Sequence, residues 1–139
     1  MRRSMNSRST QSEASRRCSR GHLGGGRPIE LSRAALTALQ DPGNDLLLSA
    51  GTIWEIAIKV GLGKLSLSMA YRDWMDQAIT DLGMTVLPIT VEYADVQGNL
   101  PKHHGDPFDR LLVAQAQVES MALVSADTRF DPYGIDRLW

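Results

Sequence analysis

The sequence has a single cysteine, Cys18, so no internal disulfide can form and a reducing cytoplasm is its natural setting. Long apolar runs are also missing. No stretch of about 7–15 apolar residues supplies a secretory signal, and no run of about 18 is present to span a membrane. Acids are scarce at one end: residues 1–27 carry seven arginines (Arg2, Arg3, Arg8, Arg16, Arg17, Arg20 and Arg27) against Glu13 alone, a net +6 that leaves −7 for the rest. An acidic body argues against a broad nucleic-acid-binding surface and suits carboxylates that hold cations. Nor is there a Ser/His/Asp or Cys/His nucleophile pattern. Gly24-Gly25-Gly26 is not followed by the helix and lysine of a phosphate-cradling loop.

What is there suits one domain: 139 residues, 42% of them hydrophobic and 22% charged. Residues 1–29, rich in Ser, Arg and Gly, read as a disordered basic segment, and residues 30–139 as the folded unit. Within it, Leu31 to Leu39 keep helical spacing behind Ser32, and Leu46-Leu47-Leu48-Ser49 is a continuous apolar run of strand length. A helix over Thr52–Val60 follows, then one over Met69–Leu82 capped by Ser68. A strand over Thr85–Ile89 holds Pro88, which points to an edge or a strand end. Thr90 caps a short helix over Val91–Gln97. Strands at Ala122–Ser125 and Ile135–Trp139 close the chain. Strands separated by helices imply a mostly parallel sheet with helices on both faces and a functional crevice beyond the carboxyl ends of the strands.

The most informative run is His103–Ala116, HHGDPFDRLLVAQA. Asp106 is a good N-cap, Pro107 fits the first helical position, and Asp109 falls at N3, facing unpaired N–H groups and the positive end of the helix dipole. On a wheel of about 100° per residue, Asp109 shares a stripe with Leu112, Val113 and Ala116 and should point inward. Two readings stand: a helix cap without chemistry, or a metal-binding carboxylate in a cleft that needs other acids from other elements. Asp127, just past a strand, belongs on the same rim. Glu55 reads either as an exposed i, i+4 partner of Lys59 or as an acid left facing the cleft.

In SAGTIWEIAIKVGLGKLSL (Ser49–Leu67), HHGDPFDRLLVAQA (His103–Ala116) and LVSADTRFDPYGIDRLW (Leu123–Trp139), the chain resembles the PIN-domain ribonuclease toxins of VapBC-type toxin–antitoxin pairs. The resemblance implies a three-layer α/β/α fold and an endoribonuclease dependent on Mg²⁺ or Mn²⁺, with Glu55, Asp109 and Asp127 as catalytic metal ligands. Asp106 and Asp131 would support the site from behind. Arg110 is the expected phosphate contact, with His103 and His104 as further contacts to RNA. A cognate antitoxin, a homodimer and a cytoplasmic location are implied too. There is one departure: such domains open on an apolar strand ending in an aspartate, of the type L-L-D-T-H-x-L-L-W, and residues 1–29 contain none. The expectation is a missing first strand, one ligand fewer, and an exposed neighbouring edge. Residues 1–27 would then stem from an altered start or a shifted reading frame. The alternative to an active nuclease is an impaired PIN remnant that binds antitoxin or RNA without cutting. A receiver domain would need paired acids after its first strand and a lysine after a late one, and neither is present.

Overall fold

The computed structural model describes residues 6–8 and 31–139, and its first strand, β1, is Asn6–Arg8. Helix α1 (Arg33–Gln40) starts at Ser32, whose hydroxyl accepts the Ala35 N–H at 3.1 Å. Strand β2 (Leu46–Ser49) is buried throughout and leads without a loop into α2 (Ala50–Gly61). Ser49 ends the strand and caps the helix through the Gly51 N–H, so α2 begins earlier than Thr52. A side chain at Gly51 would place its Cβ 2.5 Å from Leu111 Cδ2, and glycine lets this helix start lie close to its neighbour. Helix α3 (Tyr71–Leu82) starts at Ala70 without a side-chain cap, so the expected role of Ser68 is not taken up. It ends at Gly83, whose φ of 58° is left-handed.

Strand β3 (Thr85–Leu87) stops before Pro88 and forms one edge of the sheet, as the proline requires. Helix α4 (Val91–Asn99) follows, capped by Thr90. Helix α5 (Pro107–Glu119) is capped by Asp106, whose Oδ1 accepts the N–H groups of Phe108 (2.9 Å) and Asp109 (3.2 Å). After β4 (Ala122–Val124) come a 3-10 helix (Thr128–Tyr133) and a two-residue strand, β5 (Arg137–Leu138).

All strand pairs are parallel, in the order β3-β2-β1-β4-β5. The expectation of a missing first strand is therefore corrected: Asn6–Arg8 stands in the middle of the sheet, pairing with Leu46–Leu48 on one side and Ala122–Val124 on the other. Ladder bonds are made by backbone groups, so a polar segment can fill this place. Apart from this strand, the expectation of a disordered 1–29 segment falls outside the described residues.

The core lies on both faces of the sheet. Leu123 packs with Leu112, Val113 and Ala114 of α5, whereas Val124 packs with Ala35 and Leu39 of α1. Successive strand residues point to opposite faces, so α1 and α5 cover opposite sides and the fold has three layers, α/β/α. Leu46 and Leu48 meet Ile56 of α2 and Trp74 and Met75 of α3. Each such buried side chain contributes about 1.5–3 kcal/mol. Among the described residues, no helix is long and apolar enough to cross a membrane.

Candidate functional site, an acidic rim at the carboxyl end of the sheet

Asp109 is set by the α5 start: Asp106 caps the first turn, and Asp109 within that turn is well covered, with only 18% of its side chain exposed. Burial, followed by the nearby Asp106 charge, pushes its carboxyl up to about 6. His104 and Arg129 pull the other way, and Glu55 adds further repulsion. Glu55 and Asp109 therefore lie within electrostatic reach although they come from different helices. Glu55 is mostly covered, 14% exposed, and holds Lys59 at 2.6 Å. Of the two readings of Glu55, the i, i+4 pair with Lys59 forms, with the acid itself mostly covered.

Asp127 follows β4 and caps the 3-10 helix through the Arg129 N–H (2.9 Å). The Arg129 side chain returns to the same carboxylate: Nε lies 3.1 and 2.8 Å from its oxygens, and Nη2 also bonds Oδ2. This hydrogen bonding, above all, holds the Asp127 carboxyl below the usual carboxylate range. Arg129 Nη2 stands 3.6 Å from Asp109 Oδ2 as well, so one guanidinium spans both acids. The motif reading did not single out Arg129. The signal available for it was an acid followed two residues later by an arginine at a helix start, where the two meet locally.

The remaining expected residues are placed as follows. Asp131 is half exposed and paired with Arg137, which also donates to the Ser125 carbonyl (3.0 Å) and so ties the 3-10 helix to β5. His103 stacks edge-on against Tyr133 at 4.8 Å. His104 packs edge-on against Phe130 (6.2 Å) and Tyr133 (5.7 Å), and its two ring nitrogens are buried without a hydrogen-bond partner. Arg110 turns to backbone: its guanidinium donates to the carbonyls of Gln97 (2.8 Å), Leu100 (3.1 Å) and Pro101 (2.8 Å) and to the Tyr133 hydroxyl (3.4 Å). It staples the α4 end to α5 instead of presenting its charge to solvent.

The donor chemistry of Glu55, Asp109 and Asp127 fits a hard divalent cation, since all are carboxylates, and Glu55 adds repulsion at Asp109. Their positions are less gathered. Among the described residues no group of three or more Asp, Glu, His or Cys is close enough to hold a metal ion, and the positive charge at the rim comes from Lys59 and Arg129.

A parallel α/β/α domain of this kind defines a class of fold whose functional crevice lies beyond the carboxyl ends of its strands. The chain belongs to the PIN-domain family, whose profile matches residues 23–135. PIN domains are generally nucleases that use divalent metal ions. A solved structure of FitAB bound to an IR36 DNA fragment is similar in fold: 23% identity, 67% of this chain and 71% of that chain covered, TM-score 0.50. No curated protein matches the chain.

Proposed function

We propose that this chain is the toxin of a toxin–antitoxin pair, an endoribonuclease that hydrolyses RNA phosphodiester bonds with Mg²⁺ or Mn²⁺ and is restrained by a cognate antitoxin. The observation that carries the reading is the electrostatic meeting of Glu55 and Asp109 and the bridging of Asp109 to Asp127 on one rim of a PIN fold. Glu55, Asp109 and Asp127 would hold the cation, which when bound would activate water and neutralise charge on the scissile phosphate. Asp106 keeps the α5 start in place and thereby aims Asp109. A homodimer and a cytoplasmic setting go with the same reading.

A second reading is favoured by one observation. The strand in the middle of the sheet is Asn6-Ser7-Arg8, and neither it nor Ser9-Thr10-Gln11-Ser12 after it contains an acid. A PIN domain short of that carboxylate would bind its antitoxin but cleave poorly. The two readings part in a calorimetric titration of Mn²⁺ into the purified chain, beside Asp109→Asn, with cleavage of a fluorescent single-stranded RNA run in parallel. Binding and metal-dependent cleavage, both lost in D109N, are expected for the nuclease. Binding without cleavage selects the impaired form, and a folded protein that binds no Mn²⁺ overturns the metal-dependent reading.

A further inference from the structure

We propose that Arg129 is a built-in counter-ion of the acidic rim: its guanidinium bridges Asp127 and Asp109, and a divalent cation held by those acids would have to displace it. The inference rests on the metal-dependent reading above. The fork of Arg129 meets both oxygens of Asp127, and its Nη2 stands 3.6 Å from Asp109. An arginine cannot shed its charge by deprotonating, so only movement of the side chain can free the carboxylates.

Movement is open to it. The Arg129 side chain is 61% exposed, and an ion pair so exposed to water is weak and easily exchanged. Its backbone N–H stays on Asp127 Oδ1 at 2.9 Å whatever the guanidinium does, so the carboxylate keeps its aim when the fork leaves. The neighbouring cations are engaged elsewhere. Lys59 pairs with Glu55, and Arg137 with Asp131 and the Ser125 carbonyl. Arg129 thus holds the acids together when no cation is bound, and the cost is a weaker site for the cation.

The test is Mn²⁺ affinity of the full chain by calorimetry, comparing wild type, Arg129→Gln, Asp109→Asn and Arg72→Gln. Arg72 pairs with Asp76 on α3 and is 90% exposed, so R72Q removes the same charge away from the rim. R129Q is expected to bind Mn²⁺ about two- to fivefold more tightly than wild type, the range set by loss of an exposed ion pair, with R72Q unchanged. Arg129→Lys, which keeps the charge but not the fork, should fall between and serves if R129Q is poorly folded. Equal binding by R129Q and wild type, lost in D109N, overturns the counter-ion and leaves the metal reading intact. A gain in R72Q as large as in R129Q overturns it too, because bulk charge would then account for the effect. No binding by either wild type or R129Q overturns both.

Discussion

Asp109 carries the electrostatic tension of the rim, and that tension has a sign. Its carboxyl, pushed up to about 6 chiefly by burial, holds a proton more tightly in the folded than in the unfolded chain. The stability this contributes is fully present below about pH 4, near the unfolded value, and is lost as pH rises through about 6. The difference is about 2–3 kcal/mol at neutral pH, to an order of magnitude, for a side chain this well covered. Asp109→Asn should therefore raise the melting temperature at pH 7.5 and flatten its fall between pH 4 and 7. Asp127 works the other way: its carboxyl is lowered by Arg129, so its contribution is present at neutral pH and fades only in more acid solution. Thermal melts across pH 4–8 without added metal follow Asp109 and not Asp127, whose contribution fades only below this range. A wild-type curve that is flat in this range, or that rises with pH, would count against the buried, crowded carboxyl.

At the level of elements, what was legible in the sequence was what is local. Ser32, Thr90 and Asp106 were readable as caps because a cap bonds the N–H groups that follow it by two or three residues. The low exposure of Asp109 agrees with the wheel, since Leu112, Val113 and Ala116 on its stripe are buried. The backbone acceptors of Arg110 were not legible for the opposite reason. Its acceptors, the carbonyls of Gln97, Leu100 and Pro101, lie on another element, and only the packing of α4 against α5 brings them under its guanidinium. Arg110→Ala should destabilise the domain by about 1–2 kcal/mol in urea unfolding, because charged hydrogen bonds to partly buried carbonyls are lost. Arg110→Lys should recover less than half, as an ammonium cannot span those acceptors. An R110A protein as stable as wild type but weaker in RNA binding would restore the phosphate contact expected from the motif.

For the whole molecule the decisive element is β1, which side-chain patterning could not reveal. Leu46–Leu48 and Ala122–Val124 are buried strands, and with nothing between them their facing N–H and C=O groups would go unpaired in the core. Asn6–Arg8 closes that gap through backbone pairing, and apolar alternation, the usual mark of a strand, was not there to be read. A substitution that acts on the backbone therefore tests the arrangement better than one that acts on a side chain. Ser7→Pro removes an N–H and brings a ring that a central strand does not tolerate, so it should cost about 3 kcal/mol or more, seen as a lower urea midpoint or a lost cooperative transition. Ser7→Ala, which leaves the ladder intact, should stay within about 0.5 kcal/mol of wild type. If S7P unfolds at the same urea concentration as wild type, the sheet draws no stability from this strand. Its halves would then be held together by α1 and α5 alone, the open arrangement that the absence of an apolar first strand implies.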